Sequence, residues 1–236
     1  FALGPADQDQ MNRMHRLMGE ALDAGAIGLS TGLIYPPGSQ TTTEELIRLA
    51  KPVGERRGIY FSHIRGEGRT LLGAIGEAIR IGRESGAAVQ IAHYKAAGRK
   101  NWYLAAQGLE LIDQARREGL DVTADIYTYP AGSTGLRTLL PEWAEEGGTE
   151  AILAALRDPS TREKMAADMR VTGFCSEVEF DKVYIAGCPT RREYEGRFIS
   201  ELADKVNVSP YDWIFDALIE TRLDVMMVNF MMSEEN

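Results

Sequence analysis

Gly58-Ile59-Tyr60-Phe61-Ser62-His63 is answered, one helical stretch later, by Ala88-Val89-Gln90-Ile91-Ala92-His93. Each run is short, mostly apolar and rich in β-branched or aromatic residues, the pattern of a strand. Between them Leu71, Leu72, Ile75, Ala78, Ile79 and Gly82 recur at three- and four-residue spacing, which makes one helical face ending near Gly86. Strand, helix, strand in about thirty residues is the unit of a parallel α/β architecture.

The unit extends in both directions. Upstream, residues 7–24 read as a helix through Met11, Met14, Leu17, Met18, Ala21 and Leu22, with Gly25 where a terminating glycine belongs. Ala26-Ile27-Gly28-Leu29 follows as a strand, apolar without alternation and so expected to be buried on both faces. Tyr35-Pro36-Pro37-Gly38 is a loop, and Thr43-Glu44-Glu45-Leu46 the cap and first turn of a helix that Pro52 is expected to end or kink. Downstream, Leu104 to Glu118 is a helix closed by Gly119, and Asp121 to Ile126 a strand. After Tyr129 the rhythm breaks. Residues 130–195 read as an excursion, with 182–186 as a strand inside it. Helices are expected at 198–206 and from Ser209-Pro210 through Ile219, and a further strand at 224–230.

Composition narrows the function classes. The 236 residues are 44% hydrophobic and 26% charged, enough for a sizeable core. A net charge of −9, without a basic patch, argues against a nucleic-acid partner. No apolar run approaches a membrane span and no secretory signal opens the chain. Cys175 and Cys188 are too few for a disulfide framework and lack metal-motif spacing. They read as free structural thiols of a cytoplasmic protein. The chain opens on Phe1, not methionine, and stops at Asn236, so a central fragment of a longer polypeptide is expected.

Chemistry gathers at the strand ends. His63 and His93 lie 30 residues apart, one unit, at the C-terminal ends of successive strands. Catalytic groups of α/β barrels sit at that face, and paired imidazoles there suit zinc. Structural packing of each histidine is the competing reading. His15, far from any strand end, reads as surface or packing. Ser30, Thr31, Tyr35, Lys95, Asp125, Tyr127 and Ser133 fall on the same rim, where a cation, phenols and a hydroxyl could bind a carboxylate and polarise an amide. Ordinary loop polarity explains any one of them equally well. Arg65 and Glu67 are expected to pair with each other across their turn.

Gly25-Ala26-Ile27-Gly28-Leu29-Ser30-Thr31-Gly32-Leu33-Ile34-Tyr35-Pro36-Pro37-Gly38 resembles the signature stretch of the D-aminoacylases, the N-acyl-D-amino-acid deacylases. Ser62-His63-Ile64-Arg65-Gly66-Glu67, Ile91-Ala92-His93-Tyr94-Lys95-Ala96-Ala97-Gly98, residues 121–134, Glu195-Gly196-Arg197 and Phe230-Met231-Met232-Ser233-Glu234-Glu235-Asn236 resemble further blocks in consistent order. The resemblance implies an amidohydrolase-superfamily (β/α)8 barrel, of which residues 1–236 would be the central segment. The four strands above would be barrel strands four to seven, with the excursion after the seventh. It implies zinc on His63 and His93. It implies an N-acyl-D-amino-acid substrate contacted by Tyr35, Lys95, Tyr127 and Ser133. The family's His-x-His and cysteine ligands would lie upstream of Phe1 and its general-base aspartate beyond Asn236, so no catalytic residue is assigned within the chain. Tyr94 stands where a second histidine often follows in relatives. Two alternatives are a cyclic-amide hydrolase of dihydroorotase or hydantoinase type and an inactive, partner-binding segment. The former usually carries a carboxylated lysine after strand four, where this chain has Leu29-Ser30-Thr31-Gly32.

Overall fold

The computed structural model describes residues 5–234, so Glu235 and Asn236 of the last resemblance block, and the Phe1 end, lie outside the described residues. It separates into two compact units. The first takes in the described residues up to Ala96 together with Asn101–Thr128. The second takes in Ala97–Lys100 and the described residues from Tyr129 onward.

The first unit is a run of β/α repeats. Its elements are α1 (Gln8–Asp23), β1 (Gly28–Gly32), α2 (Thr43–Glu55), β2 (Ile59–His63), α3 (Leu71–Ser85), β3 (Ala88–Ile91), α4 (Leu104–Arg117) and β4 (Val122–Ala124). The strands form one parallel sheet in the order β1-β2-β3-β4. Parallel neighbours need a crossover, and α2, α3 and α4 supply the three. The helix signals act as read. Gly25, Gly86 and Gly119 carry φ of 105°, 77° and 88°, the left-handed backbone that glycine adopts cheaply. Thr42 caps α2 in a reciprocal box with Glu45.

Burial along the strands is one-sided, against the expectation for β1. In β2, Tyr60 and Ser62 are buried against the helices while Ile59 and Phe61 are exposed on the other face. β1 starts at Gly28, later than read, and Ile27 before it is 79% exposed. Within this unit, and among the described residues, α2, α3 and α4 pack on one face of the sheet. In a closed barrel the other face is filled by side chains of the remaining strands. The covered face holds Tyr60, Leu71, Ile75, Ile81 and Ile91, all fully buried. Each such side chain contributes about 1.5–3 kcal/mol.

Pro52 does not end α2, which runs on to Glu55. A helical proline removes the N–H that would bond the carbonyl four residues back, here Arg48. That carbonyl instead takes a 2.7 Å hydrogen bond from His15 Nε2 on α1, so the proline's unpaired acceptor is met from a neighbouring helix. The histidine read as packing therefore has a definite partner. His15→Ala is expected to cost about 1 kcal/mol in urea unfolding. In a Pro52→Ala background, where residue 52 regains its N–H, that cost largely disappears. Equal cost in both backgrounds would show that the bond does not serve this purpose.

The second unit is built differently. β5 (Ala131–Gly135), α5 (Thr149–Arg157), α6 (Pro159–Val171), β6 (Val183–Gly187), α7 (Ile199–Val206), α8 (Pro210–Glu220) and β7 (Met226–Phe230) surround their own core. The three strands pair antiparallel in the order β5-β7-β6, so β7 does not extend the parallel sheet. Ser209 caps α8 with Pro210 in its first turn, as the sequence indicates. Cys175 and Cys188 are buried and free, and burial pushes the Cys175 thiol up to about 12, far from a thiolate.

Candidate metal centre

The parallel register brings the two histidines together. Gly32 pairs with His63 and Ser62 with Ile91, so His63 ends β2 beside the end of β3 and His93 follows two residues past Ile91. The rings meet edge to face with centroids 4.5 Å apart, and His63 Nδ1 lies 2.8 Å from His93 Nε2. Burial is the largest influence on His63 and, with the neighbouring His93 and Lys95, outweighs Glu67 to hold its pKa down at about 4. The ring is neutral at neutral pH, with a lone pair to offer. His63 Nε2 is buried without a hydrogen-bond partner.

His93 is held in an unusual backbone state. Its φ is +36°, a left-handed conformation that costs an L-residue roughly 1–2 kcal/mol. Asp125, just past β4, holds the turn in place. Its Oδ1 accepts the His93 N–H at 2.6 Å and its carbonyl accepts the Tyr94 N–H at 2.7 Å. Oδ2 accepts from Gln90 Nε2 at 2.7 Å. The turn also sends Tyr94 into the core beneath, where its hydroxyl donates to the Ala105 carbonyl of α4.

Glu67 is the residue that sequence reasoning placed wrongly. Arg65 turns instead to Glu77 of α3, at 3.0 Å, and to the carbonyls of Ser39 and Thr41. Glu67 turns inward, with its Oε1 3.0 Å from His93 Nδ1 and in direct contact with the Lys95 ammonium. The same oxygen is 3.8 Å from His63 Nε2. His63, Glu67 and His93 form the cluster able to hold a metal among the described residues. Burial raises the Glu67 carboxyl, but the His93 hydrogen bond and the charge of Lys95 outweigh it and keep the group ionised.

The other sequence-nominated residues divide. Tyr35 stacks at a tilt against His63, with centroids 5.4 Å apart. Tyr127 lies 6.3 Å from His93 by the same measure, and its hydroxyl is buried without a hydrogen-bond partner. Burial first, then Glu67, pushes that phenol well above its ordinary range, so it is a neutral donor. Lys95 is 6% exposed and reaches Glu67, His93 Nδ1 at 2.9 Å and the His93 carbonyl at 2.8 Å. Thr31 bonds Tyr60 and Ser62, and Ser30 is exposed. Ser133 lies on β5 of the second unit, donating to the Met227 carbonyl at 3.1 Å.

No family model matches the chain. Among curated proteins it is 41% identical over 177 residues to the N-acyl-D-glutamate deacylase of Alcaligenes xylosoxydans xylosoxydans. That match covers 75% of this chain and 36% of the relative. It is 42% identical over 132 residues to the D-aminoacylase of the same organism, covering 56% of this chain and 27% of the relative. The chain thus spans about a third of the length of the curated relatives it matches. Among solved structures, the N-acyl-D-glutamate deacylase of Bordetella bronchiseptica, in complex with zinc and a phosphonate inhibitor, superposes with a TM-score of 0.73 at 28% identity. It covers 99% of this chain and 40% of that one. A D-aminoacylase described as defining a novel subset of amidohydrolases gives 0.71 at 30% identity, covering 98% and 40%.

Proposed function

We infer that this chain, which belongs to the D-aminoacylase family, carries part of the zinc site of an enzyme that hydrolyses N-acyl-D-amino acids to a carboxylate and a free D-amino acid. The observation that carries the reading is the convergence of His63 Nδ1 and His93 Nε2, 2.8 Å apart at the ends of adjacent parallel strands. The donor chemistry fits zinc: two imidazoles, one held neutral by burial. His63 and His93 would hold the ion, and the remaining ligands would come from elsewhere in the intact protein. Zinc in such a site supplies Lewis acidity toward an amide carbonyl and water.

The chain's own groups have separable tasks. Asp125 fixes the strained turn that aims His93. The Tyr127 hydroxyl, buried and unpaired, is a neutral donor available to a substrate oxygen. Tyr35 flanks His63 and would line the same pocket. Lys95 would reach a substrate carboxylate only by releasing one of its three present partners. Ser133 is proposed as a substrate contact on the sequence resemblance alone. β1 brings no lysine to the rim, which disfavours the cyclic-amide alternative. Among the described residues no helix is long and apolar enough to cross a membrane. The buried free thiols suit a reducing, cytoplasmic setting.

The intact protein is expected to release amino acid from N-acyl-D-glutamate, N-acyl-D-aspartate or a neutral N-acyl-D-amino acid. It is expected to lose that activity on chelation and regain it with zinc. Hydrolysis of cyclic amides with no action on any of these linear substrates would overturn the assignment.

A further inference from the structure

Glu67 is buried beside both histidines, and its place in the site is open to two readings. It could itself bind the metal, or it could act on a ligand. The Lys95 ammonium decides between them. It contacts Oε1, the carboxylate oxygen beside both histidines, and it lies 2.9 Å from His93 Nδ1. A divalent ion there would sit against a buried positive charge already satisfying the carboxylate.

His93 has two ring nitrogens with different surroundings. Nε2 faces His63 Nδ1 at 2.8 Å, and Nδ1 faces Glu67 Oε1 at 3.0 Å. A neutral imidazole carries one proton, and the nitrogen that binds metal must be the other one. If Lys95 donated to Nδ1, the ring proton would move to Nε2 and close the nitrogen that faces His63. If Nδ1–H donates to Glu67, Nε2 keeps its lone pair. Both bonds are charge-assisted, one through the ammonium and one through the carboxylate, but only the second is compatible with a metal on Nε2. Lys95 meanwhile keeps acceptors in Glu67 and in the His93 carbonyl, 2.8 Å away.

We propose that Glu67 is a positioning residue: it accepts the Nδ1 proton of His93, fixes the ring's tautomer and leaves the Nε2 lone pair directed toward His63. Lys95 holds Glu67 in place and neutralises it. The proposal rests on the zinc reading above and adds a residue to it.

The test uses the intact protein and zinc alone, with affinity read by chelator competition. Glu67→Met with Lys95→Met removes the carboxylate and the ammonium together, so no buried charge is stranded. Zinc affinity in that double variant is expected to fall about 10–100-fold, the usual cost of losing an outer partner of a ligating histidine. Glu67→Gln with Lys95→Met restores an acceptor oxygen without the charge and is expected to recover most of the loss. Affinity in the Met/Met variant within about threefold of wild type, well short of that usual cost, overturns the proposal. A variant-free check is the nitrogen-15 spectrum of histidine-labelled, metal-free protein. Protonated Nδ1 on His93 is expected, and protonated Nε2 overturns the proposal even if a variant fails to fold. Failure of wild type to bind zinc at all would overturn the metal reading itself. Loss in His63→Ala with retention in the Met/Met variant would overturn only the role of Glu67.

Discussion

Replacing His63 with alanine in the intact protein is expected to lower zinc affinity by more than about a hundredfold, beyond the effect of losing any outer partner. The argument is geometric. His63 ends β2 and presents Nδ1 to His93 Nε2, and no other nitrogen ligand among the described residues faces that point. Its ring makes no other hydrogen bond, since Nε2 is buried without a partner. The side chain thus contributes little to the metal-free fold beyond packing against Tyr35 and His93. Metal-free His63→Ala is therefore expected to unfold close to wild type, so that loss of zinc cannot be charged to loss of structure. His93→Ala is expected to lose zinc equally. Chelator competition on purified, folded variants measures both, and wild-type affinity in either would remove that histidine from the site.

The pairing of His63 with His93 was legible because it rests on local periodicity. One strand–helix unit separates them, and parallel register then forces both to the same end of the sheet. The glycine stops and the Ser209-Pro210 helix start were legible for the same reason: each signal and its effect lie within a turn of chain. What escaped depends on partners distant in sequence. Arg65 and Glu67 are two residues apart and of opposite charge, so mutual pairing was the natural reading. The register instead offers Glu77 to one and Lys95 and His93 to the other, and burial of Glu67 makes its partners matter more. Pro52 looked like a helix end because the donor that relieves it, His15, sits on another helix. β7 read simply as a strand, and nothing in residues 226–230 says that its neighbours are antiparallel.

Gly54→Ala is expected to destabilise the first unit by about 1–3 kcal/mol, against what helix propensity alone would give. Gly54 lies in the last turn of α2, where alanine is the better helix former by up to about 1 kcal/mol. A Cβ at this position, however, would lie 2.1 Å from the Ser85 carbonyl oxygen, 2.7 Å from the Gly86 carbonyl carbon and 2.8 Å from the Ala87 nitrogen. All three are backbone atoms of the turn from α3 into β3, so no side chain can swing aside. Either α2 lifts from α3 or the turn moves, and the turn leads into the strand that carries His93. Gly73 and Gly76, within α3, are the matched controls, since nothing lies within 4 Å of a Cβ at either. Alanine there is expected to be neutral or to stabilise by up to about 1 kcal/mol. Urea unfolding of the three variants reads opposite signs if close approach decides, and the same sign if propensity does. Opposite signs with a parallel fall in zinc affinity for Gly54→Ala alone would tie the packing of α2 on the α3–β3 turn to the aim of His93.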